Sequence, residues 1–344
     1  MKNRNLGSTG IKVSQLCLGA MMFGAWGNPD HEESIRIINA AIDAGINFID
    51  TADMYSAGES EEIVGKALAG RRDNVILATK VHGAMSFDPN EQGNSRRWII
   101  RECENSLRRL GTDYIDLYQI HRPDPEMDVD ETLAGLTDLI RQGKVRYAGS
   151  STFPASSIVE AQWTAERRQR ERFICEQPPY SLLARGVEAE VLPVCLKYGM
   201  GVIPWSPLAG GWLSGKWRKD GSELGSRRSA MLPDRYDLSR PGNQAKLDAA
   251  DALANLADKS GISLIHLALA FVTNHPAVTS AIIGPRTIEH LESQIGAADV
   301  TLDAEVLDQI DNIVPPGQNL LAEDAGYDPP SITQAWRRRR PTRN

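Results

Sequence analysis

Four polar side chains stand where apolar segments of this chain end, and together they could perform chemistry on a substrate. The segments are "INFID", "NVILATK" and "YIDLYQIH", and the loop "TADMYSAGESE" follows the first of them. Short apolar runs rich in β-branched residues are typical of strands buried on both faces of a parallel sheet. The side chains at or just after these ends are Asp50, Tyr55, Lys80 and His121. Because parallel strands present their carboxyl ends at one edge, we expect the four to converge there.

A phenol, an amine, a carboxylate and an imidazole together suit the protonation of a carbonyl oxygen. A tyrosine hydroxyl titrates at about 10, which is too high for an efficient proton donor at neutral pH. An ammonium about 4 Å away would favour the phenolate by up to about 4 kcal/mol at an effective dielectric constant of about 20, before desolvation subtracts from this. We therefore expect Lys80 to lower the pKa of Tyr55, Asp50 to keep Lys80 charged, and a neutral His121 to orient the substrate oxygen.

Each of these residues, taken alone, also has a structural interpretation. An aspartate often bonds backbone in a turn, and a lysine at a strand end often extends to the surface. A lone histidine or a loop tyrosine often only packs. The catalytic interpretation is favoured because the polar groups end otherwise apolar runs on neighbouring strands.

Eight β-type runs alternate with amphipathic helical patterns. The runs are residues 15–19, 46–50, 74–80, 114–121, 145–151, 173–177, 199–205 and 279–284. The predicted helices are residues 31–45, 95–111, 130–142, 155–168, 186–197, 263–274 and 287–298. Eight strands that alternate with helices predict an α/β fold of the single-domain (β/α)8 TIM-barrel type, with its active site at the carboxyl ends of the strands. A doubly wound open sheet is the alternative, but no GxGxxG motif follows the first strand to support it.

Three segments fall outside this repeat. Residues 3–14 predict an N-terminal hairpin, with "STG" as its turn, that closes the bottom of the barrel. Residues 206–242, rich in Gly, Ser, Arg and Pro, predict a long loop after the seventh barrel strand, and loops of that length are usually functional or mobile. We assign residues 1–312 to the barrel and residues 313–344 to a Pro-rich, basic C-terminal tail, whose "WRRRR" cluster we expect to be solvated.

Composition and charge argue against several classes of function. The chain has 344 residues, 41% hydrophobic and 24% charged, and its net charge of −7 argues against a nucleic-acid binder. No apolar run reaches the roughly 18 to 20 residues needed to cross a membrane, and the N-terminus lacks the apolar core of a signal peptide. We therefore expect a cytoplasmic protein. Cys17, Cys103, Cys175 and Cys195 are far apart, so we expect buried hydrophobes and no metal site.

The four polar residues, combined with three further segments, resemble the aldo-keto reductase family. "GTDYIDLYQIHRPDP" is similar to that family's fourth-strand signature, and "GSSTF" and "PWSPLAGGWLSGK" are similar to its cofactor segments. The similarity runs from about residue 4 to about residue 312, and it is greatest to the longer-chain branch that includes the potassium-channel β-subunits and bacterial aldo-keto reductases. The resemblance implies an oxidoreductase that uses NADPH (NADP+) for carbonyl reduction of small aldehydes and ketones, with Tyr55 as general acid. Oligomeric state and physiological substrate stay open.

The resemblance also assigns cofactor contacts, which need no Rossmann domain. Ser151 and Gln177 would hold the nicotinamide carboxamide, and the nicotinamide ring would stack on Trp205. Further residues implied near the ribose and the pyrophosphate are Gly19, Ala20, Met21, Ser206, Leu208, Gly210 and Lys216. The long loop at 206–242 is expected to fold over the cofactor and slow its release.

Cations near the adenosine 2′-phosphate would favour NADPH over NADH. "GSRRS" supplies Arg227 and Arg228, and "GPRTIEHLESQ" supplies Gly284 and Arg286 at the start of the last barrel helix. A helix N-terminus combined with a guanidinium is a strong phosphate site. Three positions depart from the commoner family pattern, which leaves their cofactor contacts open: Thr152, His290 and Gln294.

Apolar residues on the predicted mouth loops would form the substrate wall, although each could equally pack structurally: Trp26, Met54, Met85 and Phe87. The main alternative function is a cofactor-binding, redox-sensing regulatory subunit with little turnover, since the channel β-subunits are similar to this chain. A metal-dependent barrel hydrolase is a distant third, because no HxH or comparable ligand cluster ends a strand.

Overall fold

The computed structural model describes residues 1–219, 229 and 232–339, and it confirms the (β/α)8 barrel. The strands of this part are β1 (Asn3–Asn5), β2 (Lys12–Ser14), β3 (Leu16–Gly19), β4 (Phe48–Asp50), β5 (Ile76–Val81), β6 (Ile115–Ile120), β7 (Val145–Ser151), β8 (Phe173–Gln177), β9 (Gly201–Val202) and β10 (Ala281–Ile283). The eight-stranded sheet has the order β10-β3-β4-β5-β6-β7-β8-β9, and each neighbouring pair is parallel. Hydrogen bonds from Ile282 N to Pro204 O (2.9 Å) and from Thr279 N to Val202 O (2.8 Å) join the two ends of the sheet.

Helices surround this sheet. The α-helices of the described residues are α1 (His31–Asp43), α2 (Glu59–Ala67), α3 (Arg96–Leu110), α4 (Val129–Arg141), α5 (Ala155–Arg168), α6 (Val191–Lys197), α7 (Pro241–Lys259), α8 (Leu264–Asn274), α9 (Ile288–Ile295), α10 (Ala304–Ile313), α11 (Pro330–Thr333) and α12 (Ala335–Arg338). Helix α3 shows how the sequence sets their ends. The Ser95 side chain accepts a hydrogen bond from Trp98 N, and Gly111 takes a left-handed φ of 62° after the last turn.

Several elements differ from the sequence prediction, including helix α10, which was not predicted. Helix α7 was not predicted, because it starts inside the segment that we read as a loop; Pro241 at its first turn is a standard start signal. The helix predicted over 186–197 is regular only over Val191–Lys197, after a 3-10 turn at Gly186–Glu188. The strand predicted over 199–205 is regular only over Gly201–Val202, and Pro204 has no N–H to extend its ladder.

The N-terminal hairpin seals one end of the barrel, as predicted. Strands β1 and β2 pair antiparallel, and Leu6 and Val13 pack with the inward side chains of the barrel strands. A Cβ atom on Gly7 would lie 2.6 Å from Gly199 O, so only glycine permits this close approach. The other end of the barrel, where the strands terminate, is therefore the end that can hold a site. All four cysteines are buried, as expected.

The segment after α10 lies against the barrel. Arg185 N donates to Gln318 O (2.8 Å), and Leu320 N donates to Leu183 O (3.1 Å). Lys246 forms an ion pair with Asp324. The chain then passes Trp205 at Gly326, and Arg337 reaches Glu126 in the loop after β6. Residues 314–339 thus run along the barrel mouth, and at least this arginine of the basic cluster is paired, which the solvated-tail interpretation did not foresee.

No single helix of the described residues is both long and apolar enough to cross a membrane; α7 and α8, bent by 95°, meet the length and composition criteria only as a pair.

Candidate active site

Lys80 is the centre of the site at the carboxyl ends of the strands. Its ammonium is fully buried and donates to Asp50 Oδ2 (2.5 Å), Thr51 O (2.7 Å) and the Tyr55 hydroxyl (3.3 Å). Burial works to lower the pKa of Lys80, but Asp50 and Tyr55 outweigh it, and the net direction is upward. Lys80 therefore stays charged, and the expected convergence of the acid, the phenol and the amine is present in the structure.

His121 completes the group on the next strand end. Its ring lies 5.6 Å from the Tyr55 ring, centroid to centroid, in an edge-on arrangement. Burial, with added repulsion from Lys80 and Arg122, lowers the pKa of His121 well below its ordinary value, so the imidazole is neutral at pH 7. Neither ring nitrogen bonds to a described residue, and Nδ1 is buried. A neutral imidazole of this kind can donate a hydrogen bond to a substrate oxygen.

The pKa of Tyr55 contradicts the sequence prediction. Burial, with an added contribution from Asp50, raises it above 10, and the lowering by Lys80 does not reverse this. The sequence argument considered the ammonium and left out how completely the phenol is desolvated. Tyr55 is therefore a neutral hydrogen-bond donor over the whole physiological pH range.

Two glutamines hold Asp50 in place: Gln119, which the sequence analysis missed, and Gln177, which it assigned to the nicotinamide. Gln119 Nε2 and Gln177 Nε2 each lie 2.9 Å from Asp50 Oδ1, and Gln177 Nε2 also lies 3.1 Å from Gln119 Oε1. Together with Lys80 they occupy both oxygens of the carboxylate. The alternation of side chains between the two faces of β6 could have identified Gln119. Leu117 packs in the barrel interior, and Gln119 is on the same face two residues later.

The loop that carries Tyr55 has an unusual backbone. Ser56, Ala57 and Gly58 follow it with φ values of 49°, 56° and 97°, all in the left-handed region. Non-glycine residues there cost about 1–2 kcal/mol each, so surrounding contacts must hold the loop. Ser56 Oγ accepts a hydrogen bond from Trp26 N (3.1 Å), and Gly58 lies directly on Arg109.

A buried charge cluster supports this loop from below. Arg109 Nε donates to Glu61 Oε2 (2.6 Å), and Arg109 Nη2 donates to Glu102 Oε1 (2.5 Å). Asp53, two residues before Tyr55, faces the same acids, and Asp53 Oδ2 has no partner among the described residues. Burial, with repulsion from Glu61 and Glu102, raises the pKa of Asp53 well above its usual value.

The residues assigned to the nicotinamide end lie beside Asp50. Ser151 Oγ donates to Gln177 O (2.9 Å), while the Gln177 amide group already contacts Asp50. Thr152 has a left-handed φ of 61°, and its hydroxyl accepts a hydrogen bond from Arg122. Trp205 is held by its backbone N–H to Pro178 O (3.0 Å) and is half-buried. Gly19 packs against Ile282, and Met21 is half-buried beyond it.

The loop after β9 has the backbone of an anion cradle. Ser206, Ala209 and Gly210 all have positive φ. Its bonds run from Ala209 N to Ser206 O and from Gly211 N to Leu208 O, whereas the N–H groups of Ser206, Leu208 and Gly210 bond to no described residue. Successive left-handed residues with open N–H groups form concavities that bind anions. The loop therefore fits the pyrophosphate that the sequence assigned to it.

A group of basic side chains lies at the start of α9. The pKa of His290 is lowered by burial and by the positive charges of Arg286 and Lys216, which places three basic side chains near one another. Gly284 precedes them and has open space around its Cα. The Gln294 amide nitrogen donates to His290 O (2.8 Å), so it is engaged within its own helix. Arg227 and Arg228 lie outside the described residues. Open N–H groups and grouped cations fit a phosphorylated dinucleotide.

The residues predicted for the substrate wall lie in different environments. The Trp26 ring is 6.0 Å from the Tyr55 ring, and Met54 packs on Gly83. Met85 packs against the hydrophobic core, and Phe87 is fully exposed. Trp26 is therefore the predicted wall residue that the structure brings to Tyr55. Arg122, which the sequence analysis did not single out although it follows His121 directly, is also close enough to affect the pKa of Tyr55.

The fold and this site define an α/β-barrel protein with a lysine-tyrosine-histidine centre at the strand ends. The family model described as "Aldo/keto reductase family" matches residues 15–315, and the chain belongs to this family. Members of the family are oxidoreductases that act on small carbonyl compounds and generally use a nicotinamide dinucleotide. Among the described residues, no group of three or more His, Cys, Asp or Glu side chains could hold a metal ion.

Three relatives illustrate the range of proteins to which the chain is similar. It is 41% identical to the uncharacterized oxidoreductase YrpG of Bacillus subtilis, over 92% of this chain and 96% of that protein. It is 37% identical to a probable voltage-gated potassium channel subunit beta of Oryza sativa subsp. japonica, over 91% of this chain and 97% of the relative. It is 35% identical to the aldo-keto reductase YhdN of Bacillus subtilis, over 95% of this chain and 96% of that protein.

Proposed function

We propose that this chain is an NADPH-dependent reductase that converts aldehydes and ketones to alcohols. The observation that carries the proposal is the contact of the Tyr55 hydroxyl with the buried Lys80 ammonium, beside a neutral His121. Tyr55 donates its proton to the carbonyl oxygen, and Lys80 stabilises the phenolate that remains. His121 orients the same oxygen, and the two glutamines on Asp50 keep Lys80 aligned. The bound dinucleotide supplies the hydride.

Preference for NADPH over NADH is part of this proposal. The grouping of Arg286, Lys216 and His290 at the start of α9 supports it, since a 2′-phosphate needs cations and open N–H groups. Ser206, Leu208 and Gly210 offer backbone N–H groups for the pyrophosphate, and Trp205 is the aromatic surface for the nicotinamide.

A second candidate function is a cofactor-binding regulatory subunit with little turnover. The similarity to proteins named as potassium channel β-subunits favours it.

A panel of aldehydes and ketones, assayed by the loss of NADPH absorbance, separates the two candidates. Reduction of several carbonyl compounds at about 1 s⁻¹ or faster, within the ordinary range of enzymes, supports the reductase. Tight NADPH binding, measured by fluorescence, without multiple turnovers of any compound in the panel supports the regulatory subunit. Turnover with NADH equal to that with NADPH would contradict the cofactor assignment.

A further inference from the structure

Arg122 places a guanidinium at the mouth of the barrel, beside the reacting groups. Its Nη1 atom donates to His121 O (2.8 Å) and to Thr152 Oγ1 (2.8 Å), so it bridges the loops after β6 and β7. The guanidinium carbon lies 5.9 Å from the centre of the Trp205 ring. Arg122 therefore stands between the tyrosine side and the tryptophan side of the site.

The positive charge of Arg122 is not balanced by an ion pair within the part of the chain that the structure describes. Lys80, in contrast, is paired with Asp50. The acid that acts on Arg122 is Glu176, whose buried carboxylate accepts hydrogen bonds from Ser150 Oγ (2.5 Å) and Phe153 N (3.1 Å). Burial raises the pKa of Glu176 to about 7, so this acid is only partly ionised at neutral pH. Glu176 therefore offsets the charge of Arg122 only in part.

The guanidinium also has unused donors. Both hydrogens of Nη1 are engaged with His121 and Thr152, whereas Nε and Nη2 have no hydrogen bond to a described residue. Nε and Nη2 are not among the fully buried side-chain atoms that lack a partner, so solvent reaches both of them. Adjacent guanidinium donors match the two oxygens of a carboxylate, and this pairing is both stronger and more directional than a neutral hydrogen bond.

We propose that Arg122 binds a carboxylate of the substrate, and that the site prefers short aldehydes or ketones that also carry an acid group. The inference rests on the proposed reductase function and adds a substrate class to it. Arg122 would act as a specificity residue: the carboxylate binds at the guanidinium while the carbonyl oxygen faces Tyr55 and His121.

The first experiment compares two four-carbon aldehydes, 4-oxobutanoate and butanal, at saturating NADPH. We expect kcat/KM to be about 10- to 100-fold higher for 4-oxobutanoate, because the charged hydrogen bond is available only to the acid. If neither aldehyde, nor any other carbonyl compound, is reduced, the proposed function fails. If both are reduced with equal kcat/KM, the reductase stands and the carboxylate site is refuted.

Three variants then locate the preference. Arg122→Gln should lower the ratio of the two kcat/KM values at least about tenfold, mainly through KM for the acid, since it removes the charge. Arg122→Lys should retain part of the ratio, because it keeps the charge but loses the two-donor geometry. Arg141→Gln, an exposed arginine at the end of α4, is the matched control and should keep the wild-type ratio. A ratio unchanged in Arg122→Gln would overturn the inference, because loss of a purely structural bridge affects both aldehydes alike.

Discussion

At the level of single residues, burial and charge act against each other on Tyr55. The phenol bonds to an ammonium, yet its pKa is raised, because desolvation and Asp50 together exceed the effect of Lys80. The residue types and their spacing predicted which side chains meet. They did not predict the sign of this pKa shift, since that depends on how completely the surrounding loops exclude water. Gln119 was missed for a similar reason: an amide in a strand is unremarkable until its partner, Asp50, is located.

The raised pKa of Tyr55 predicts the pH dependence of carbonyl reduction. A general acid is active below its pKa, so activity is lost only as pH rises through the folded-state value, which lies above 10. We expect kcat/KM for an uncharged aldehyde to stay nearly flat from about pH 6 to pH 9 and to fall above about 10. Initial rates in buffers of constant ionic strength test this. A decline centred near pH 7 or 8 would show instead that Lys80 lowers the pKa, as the sequence alone suggested.

Replacement of the phenol tests the proton donor directly. Tyr55→Phe removes the hydroxyl but leaves Lys80 bonded to Asp50 and Thr51, so the fold should persist. We expect kcat to fall by about 10²- to 10⁴-fold, as for loss of a general acid, with the NADPH Kd almost unchanged. Tyr198→Phe, at the end of α6 and therefore away from the strand ends, serves as the control and should retain activity. Wild-type turnover in Tyr55→Phe would refute the assignment.

At the level of elements, the strands were easier to predict than the loops that use them. Apolar runs and cap residues indicated most strands and helices, because burial and capping leave a local pattern. The loop from Tyr55 to Gly58 has no such pattern: its left-handed backbone depends on contacts with Arg109 and Trp26, which are distant in sequence. Helix α7 was missed because its first residues share the composition of the preceding loop.

Gly58→Ala should destabilise this loop and reduce catalysis together. Gly58 has a φ of 97°, and a Cβ atom would lie 2.7 Å from Arg109 Cδ. Backbone strain and overpacking add, so we expect a loss of about 2–4 kcal/mol in unfolding free energy and a lower kcat. Gly111→Ala is the matched control: its φ is 62°, but nothing lies within 4 Å of the added atom. It should cost only about 1 kcal/mol and leave kcat intact. Equal effects of the two substitutions on urea unfolding and kcat would contradict this account.

At the level of the whole molecule, the barrel mouth is bordered by the C-terminal segment as well as by the strand loops. Gly326 lies on Trp205 and Thr152. Asp324 pairs with Lys246 on α7, and Glu323 pairs with Arg240, the residue just before α7. The sequence did not predict this course, because residues 313–344 have no periodicity that would tie them to a particular surface. Their contacts depend on the completed barrel.

The two ion pairs of this segment should differ in strength. The Lys246 side chain is 4% exposed, so Asp324→Asn leaves a buried charge without its partner, and we expect a loss of about 3 kcal/mol. Glu323→Gln breaks the more exposed pair with Arg240 and should cost about 0–1 kcal/mol. Urea unfolding of both variants tests the difference. If the two lose the same free energy, the Lys246 pair does not anchor the segment.

The hairpin that packs Leu6 and Val13 into the far end of the barrel determines how compounds enter and leave the site. With that end closed, the described residues leave the opening above Lys80 as the route to the phenol, and a compound that enters by this opening also leaves by it. Of a cofactor and a substrate that share this opening, the one that binds deeper has to bind first and dissociate last. The order of binding and release therefore follows from the fold.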